Sequence, residues 1–109
     1  MGSLQLNIEL KCDYVLKLGT KPSADVFILL HGYAESGDYF YQKMSSALPA
    51  EATVIAPNAP FFIPVQSSDG SYRAGYSWYF YDGKTDEYIH DMKTSTGYIR
   101  AILQKESLL

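Results

Sequence analysis

The chain has 109 residues, of which 47% are hydrophobic and 19% charged, and this balance excludes a natively unfolded chain and fits one domain. Its net charge of −3, with no run of Lys or Arg, excludes nucleic acid binding through phosphate neutralisation. The single cysteine, Cys12, excludes an internal disulfide and fits a reducing, cytoplasmic compartment. No apolar run reaches the roughly 18 residues of a membrane span.

Three strands are predicted in the first third of the chain. Residues 4–10 and 14–18 each alternate between apolar and polar side chains, which is typical of a half-buried strand. The polar residues 11–13 between them indicate a turn, so we expect an antiparallel hairpin. Residues 26–30 are apolar without a break, which predicts a central strand buried on both faces of a parallel sheet.

A helix and a fourth strand are predicted next. The polar residues 31–38 end the strand, and Asp38 is the favoured helix N-cap, with Ser36 as the alternative. Apolar residues then recur at helical spacing as far as Pro49. Residues 53–56 follow as another short buried strand.

The remainder of the chain predicts a long loop and a second helix. Residues 58–77 show no periodicity and contain two prolines and two glycines, and a loop of that length in a compact domain is usually functional. Thr85 is the expected N-cap of a helix over residues 86–104, which has an apolar stripe. Strand, helix, strand and helix in this order favour a parallel sheet covered by helices.

Three short motifs lie in a fixed order along the chain. The apolar strand leads directly into His31–Tyr33, the next strand leads into Ala56–Pro60, and Gly75–Tyr79 follows after the loop. This arrangement resembles the first half of the α/β-hydrolase fold, and most closely the phospholipase/carboxylesterase family that includes acyl-protein thioesterases. The resemblance covers about residues 24 to 105. It implies an incomplete α/β fold, in which residues 1–109 form the N-terminal part of a single α/β-hydrolase domain.

The resemblance assigns a role to the turn after the third strand. In this fold the backbone N–H after that turn helps to form the oxyanion hole, and the matching position here is Tyr33. Gly32 lets the backbone turn closely, because a Cβ there would crowd the substrate oxygen. The alternative is that Gly32 and Tyr33 only turn the chain. His31 belongs to the same turn, and we expect it to bond loop backbone rather than to act as a base.

The resemblance also implies where the substrate binds. It places the long loop near the acyl groove, and four aromatic residues are the candidates for acyl contacts: Phe61, Phe62, Tyr76 and Trp78. The alternative is a satellite cluster that only packs over the sheet. We expect the substrate to be an acyl ester, and we expect no cofactor and no metal ion.

The catalytic residues of the family are missing from this chain. Its nucleophile lies in G-x-S-x-G at a strand-to-helix elbow, and the nearest segment here, Gly75–Tyr79, lacks the second Gly. The triad acid and base would follow the nucleophile. His90 and Asp91 are adjacent on a predicted helix, point to different sides and are poor triad partners. We therefore expect the front half of a serine carboxylesterase or thioesterase, inactive alone.

Two other functions remain open from the sequence. The chain could be a non-catalytic self-associating or binding module, or a small nucleotide- or flavin-binding domain with residues 32–37 as a phosphate cradle. In the resembling fold, residues 26–30 lie between residues 53–56 and the nucleophile strand, so their outer edge would be unpaired here. We expect a second copy or the missing C-terminal half to cover that edge, with more than about 1,200 Å² buried in total.

Overall fold

The structure is a computed structural model that describes residues 1–21, 24–79 and 92–109, and over these residues it is a mixed α/β structure with five strands and two helices. The elements are β1 (Tyr14–Lys17), β2 (Val26–Ile28), α1 (Gly37–Met44), a 3₁₀ turn (Ser45–Ala47), β3 (Thr53–Pro57), β4 (Phe61–Gln66), β5 (Tyr72–Ser77) and α2 (Lys93–Lys105). The predicted cap Thr85, the segment 86–91 of the predicted helix and the pair His90–Asp91 lie outside the described residues. No helix in the described ranges is long and apolar enough to span a membrane.

The first sheet has three strands in the order β1-β3-β2, and β3 is its centre. β1 pairs with β3 in antiparallel orientation and β2 pairs with it in parallel, as predicted for the two apolar strands. All five residues of β3 are buried. Val54 and Ala56 pack with side chains of α1, whereas Ile55 and Pro57 lie against side chains of α2. The sheet is therefore a layer between the two helices.

The predicted strand over residues 4–10, and with it the predicted hairpin, is wrong. These residues have no regular structure, and their apolar side chains are between 55% and 83% exposed. The carbonyl of Asp13 accepts hydrogen bonds from the Asn58 N–H and from the Tyr98 hydroxyl. The chain before β1 therefore continues the β1–β3 ladder instead of turning back on itself.

The predicted burial of residues 26–30 on both faces is also wrong. The strand itself covers Val26–Ile28, and the side chains of Val26 and Ile28 are 39% and 36% exposed. β2 forms one edge of the described sheet, so its outer side has no neighbouring strand there. Leu29 alone is buried, and its N–H donates to the Ile55 carbonyl.

The predicted loop over residues 58–77 is instead an antiparallel hairpin. β4 and β5 pair from Phe61 opposite Ser77 to Gln66 opposite Tyr72. Burial alternates along β4, and Pro64 is tolerated because β4 has only β5 as a strand partner among the described residues. Gly70, with φ of 88°, supplies the left-handed residue of the connection.

α1 begins with a serine cap rather than an aspartate cap. Ser36 Oγ accepts a hydrogen bond from the Tyr39 N–H at 3.2 Å, so the preference for Asp38 is wrong. Asp38 lies in the first turn and accepts from Gln42 Nε2. A hydroxyl one residue before the helix reaches the N3 amide, whereas a side chain inside the first turn does not.

α2 is tied to the first strand and closed at its C-terminal end. The Tyr14 hydroxyl donates to Glu106 Oε2 at 2.5 Å, and this bond raises the pKa of Tyr14 above its ordinary value. Ser107 takes φ of 57°, and the Leu108 N–H donates to the Leu103 carbonyl at 2.8 Å. These bonds form a Schellman cap with serine in the position that favours glycine.

Candidate functional site

The chain between β2 and α1 forms a tight turn over residues 32–35. The Glu35 N–H donates to the Gly32 carbonyl at 3.1 Å, which closes a β-turn with Tyr33 and Ala34 at its centre. Ala34 has φ of 67° while Tyr33 has a negative φ, and only a type II turn has that combination. A left-handed alanine is strained, since type II turns prefer glycine at this position.

The buried side chain of His31 is hydrogen-bonded to the backbone of the turn. Its side chain is 3% exposed, and its Nε2 accepts a hydrogen bond from the Ala59 N–H at 2.9 Å. Nδ1 therefore has the proton and donates to the Gly32 carbonyl at 2.7 Å. Trp78 Nε1 donates to the His31 carbonyl at 2.9 Å. The expectation that His31 bonds loop backbone is confirmed.

The β4–β5 hairpin is hydrogen-bonded to the backbone of the turn through β5. The Ala34 N–H donates to the Tyr76 carbonyl at 3.0 Å, and the Tyr76 N–H donates to the Glu35 carbonyl at 3.1 Å. Arg73 Nη1 donates to the Ala34 carbonyl at 3.0 Å. A Cβ at Gly75 would lie 2.7 Å from the Ala34 carbonyl oxygen, so glycine is needed where the two segments meet.

Tyr33 is at the exposed tip of this turn. Its side chain is exposed and its ring stacks on Tyr79 with 6.1 Å between the centroids. The N–H groups of its neighbours Gly32, Ala34 and Glu35 all have acceptors within the chain. The Tyr33 N–H has no acceptor among the described residues.

An apolar cleft of about 420 Å³ lies beside Tyr33. Besides Tyr33, its walls come from the N-terminal segment, from the start of β4 with the preceding proline, and from the end of β5 with Tyr79 after it. The residues are Ile8, Leu10, Pro60, Phe61, Phe62, Ile63, Ser77 and Tyr79. The structure thus brings together three of the predicted site residues, namely Tyr33, Phe61 and Phe62.

The other two predicted acyl contacts do not line the cleft. Tyr76 packs its ring edge-on against Phe62, with centroids 6.0 Å apart, and Trp78 is bound to the turn through His31. Both side chains support the walls instead. The sequence does not point to Ile8 and Leu10 as cleft residues, because their alternation with polar residues is typical of a strand.

Ser77 does not offer a nucleophile at the cleft. It is buried, its hydroxyl donates to the Tyr79 carbonyl at 2.8 Å, and the same Oγ accepts from the Tyr79 N–H at 3.2 Å. No group of three or more His, Cys, Asp or Glu side chains is placed to hold a metal ion in the described ranges.

The segment 32–37 is poorly suited to cradle a phosphate. The Gly32 N–H donates to Glu35 Oε1 at 2.8 Å, and the Gly37 N–H donates to Asn58 Oδ1 at 2.7 Å. These amides already have side-chain acceptors, and one acceptor is a carboxylate that repels an anion.

Comparison with known proteins does not assign the chain to a family. No protein-family model matches it, and no curated protein matches it.

Proposed function

We propose that this chain is the front half of a serine carboxylesterase- or thioesterase-like hydrolase of acyl esters. It supplies one donor of the oxyanion hole and part of the acyl pocket, and it is inactive without the segment that brings the nucleophile, acid and base. The observation behind this proposal is the Tyr33 N–H, which has no acceptor in the part of the chain that the structure describes and lies at the edge of an apolar cleft.

The geometry of the turn favours this role. An oxyanion hole needs backbone donors that are fixed before the reaction, and one such donor contributes roughly 3 kcal/mol to transition-state stabilisation. Hydrogen bonds from His31, Tyr76 and Arg73 fix the turn on two sides. The cleft volume lies within the roughly 300–1,000 Å³ typical of small-ligand sites, and aromatic walls suit an acyl chain.

The sheet order also supports the proposal. In the resembling fold the strand at residues 26–30 lies between the strand at 53–56 and the nucleophile strand. Here β2 pairs in parallel with β3 on one side and has no described neighbour on the other. That open edge is where a nucleophile strand from the missing half would pair.

The experiment is to delete the Tyr33 N–H while keeping the turn. Proline suits the second position of a type II turn, so Tyr33→Pro removes the donor without distorting the backbone, and Tyr33→Ala is the matched control that keeps it. The chain is produced with the C-terminal segment of its reading frame, and hydrolysis of a short-chain p-nitrophenyl ester is measured. We expect kcat to fall by about 10²–10³ for Tyr33→Pro and to change little for Tyr33→Ala.

The chain alone gives the complementary measurement. We expect neither turnover nor labelling by a serine-directed fluorophosphonate, because the elbow serine is absent. Turnover by the chain alone that survives Ser77→Ala, or equal kcat for the proline and alanine variants, would contradict the proposal.

A second candidate is a non-catalytic self-associating module. It is favoured by the open edge of β2 together with the exposed apolar side chains of residues 4–10. Sedimentation of the chain alone at micromolar concentration tests it. An oligomer that persists after the C-terminal segment is added favours this candidate, whereas an oligomer that the segment disperses favours the hydrolase.

A further inference from the structure

A second cleft, of about 440 Å³, borders the same turn as the apolar one. Its walls are mixed polar and apolar and come from the turn, the start of α1 and the start of β5: Glu35, Ser36, Tyr39, Arg73 and Ala74. Tyr33 therefore borders one cleft and Glu35 the other. The two clefts differ in chemistry, because the second one contains a carboxylate and a guanidinium.

The two charged side chains of this second cleft, Glu35 and Arg73, are each hydrogen-bonded to the backbone of the turn. Glu35 Oε1 accepts the Gly32 N–H at 2.8 Å, and Arg73 Nη1 donates to the Ala34 carbonyl at 3.0 Å. Neither side chain forms an ion pair with any described residue. An arginine has five N–H donors, so one bond to Ala34 leaves Arg73 with a free edge for a ligand.

We propose that this cleft binds a small zwitterionic group, with its anionic end on Arg73 and its ammonium end on Glu35. A guanidinium binds a carboxylate or phosphate through paired hydrogen bonds, and a carboxylate accepts them from an ammonium. A ligand with only one charge gains one of these contacts and is repelled by the other side chain. The pairing of opposite charges in one cleft therefore selects against simple anions and simple cations.

The position of the cleft suggests what the zwitterion does in the reaction, and this step rests on the proposed hydrolase function. With an ester carbonyl on the Tyr33 N–H and the acyl chain in the apolar cleft, the leaving group is free to extend towards Glu35. The substrate class is then an acyl ester or thioester of an alcohol or thiol that has both an ammonium and an anionic group. Amino acids with a hydroxyl or thiol have this chemistry, and so do phosphorylated amino alcohols.

Binding to the chain itself provides a test that does not need catalysis. The ¹H–¹⁵N spectrum is followed during titration with two zwitterions, L-serine and O-phosphoethanolamine, and with two single charges, inorganic phosphate and ethylamine. We expect millimolar binding of at least one zwitterion, with shifts centred on residues 32–39 and 73–74. We expect each single-charge probe to bind at least fivefold more weakly.

Variants locate the site. Glu35→Gln keeps an acceptor for the Gly32 N–H but removes the charge, and Arg73→Gln removes the cation; each should weaken zwitterion binding at least fivefold. Arg100→Gln, which removes an exposed cation on α2, is the matched control and should change nothing. If Arg73→Gln fails to fold, Glu35→Gln and the single-charge probes still decide the result.

The outcomes separate the two proposals. Equal binding of zwitterions and single charges, or binding unaffected by Glu35→Gln, overturns the zwitterion site. Zwitterion binding at this cleft with no ester hydrolysis by the chain and its C-terminal segment supports the site and contradicts the hydrolase function. A preference between L-serine and O-phosphoethanolamine identifies which source of the zwitterion the cleft fits.

Discussion

The three-stranded sheet and the β4–β5 hairpin bury their side chains in different ways. β3 is buried at every residue because it has a strand on each side and a helix on each face. β4 is half-buried at alternate residues, since the described residues cover only one face of this strand. The comparison indicates that the sheet stabilises the fold, whereas the hairpin is placed to form surfaces.

The candidate site lies where these two regions meet. The turn over residues 32–35 follows β2 of the sheet, but the backbone of Ala34 and Glu35 is hydrogen-bonded to Tyr76 and Arg73 of the hairpin. The shape of this site therefore depends on both regions. Substitutions in the two regions should therefore differ in their effect on stability.

The largest expected effect is at the contact between α1 and the sheet. A Cβ at Gly37 would collide with the backbone of Ala56 and Pro57 at the end of β3, and these backbone atoms cannot move aside. We expect Gly37→Ala to lower the free energy of unfolding by about 4 kcal/mol. Chemical denaturation measures the change.

Gly97 provides the matched control for this substitution. It lies in the interior of α2, and a Cβ there would meet nothing within 4 Å. Gly97→Ala should raise the free energy of unfolding by about 1 kcal/mol through helix propensity alone. Similar losses for both alanines would contradict the close approach of α1 to β3.

The next effect compares one isoleucine in each region. Ile55 on β3 is 1% exposed, whereas Ile63 on β4 is half-buried. We expect Ile55→Ala to cost about 3 kcal/mol and Ile63→Ala about 1 kcal/mol, since the cost follows the apolar contact that is lost. Urea unfolding of the two variants is the measurement, and equal losses would show that the hairpin stabilises the fold as much as the sheet does.

The smallest effect is at the strained alanine of the turn. Ala34→Gly should raise the free energy of unfolding by about 0.5 kcal/mol, because glycine adopts φ of 67° without strain and this gain is partly offset by greater freedom in the unfolded chain. Ser107→Gly at the end of α2 should give a similar gain far from the site. Thermal unfolding compares the two, and a loss of stability in Ala34→Gly would argue against the left-handed turn.

Much of the sheet could be predicted because its signal is local. Residues 53–56 predict a short buried strand, and β3 is that strand. Residues 4–10 show the limit of this reasoning. Alternation predicts which side chains share a face, but a strand also needs a partner, and the pairing of β1 with β3 is a long-range contact that local periodicity does not contain.

The candidate site could be predicted in part. The motif at His31–Tyr33 indicated the turn, and the aromatic residues Phe61 and Phe62 indicated the cleft wall. The role of Arg73 could not be predicted, since its contact with Ala34 joins residues 39 positions apart through the hairpin. The proline and glycine residues of segment 58–77 are typical of a loop and so do not predict that hairpin. Gly70 is nevertheless the residue that the connection between β4 and β5 requires.

Trp78, the only tryptophan of the chain, donates a hydrogen bond to the His31 carbonyl, so its fluorescence can report on the turn. Its indole lies 5.1 Å from the imidazole of His31, measured between ring centroids, and so reports on the residue that supports the turn. A ligand that shifts the turn should change the tryptophan emission without any added label. Emission and denaturant titrations of the same sample can therefore follow the site and the fold together.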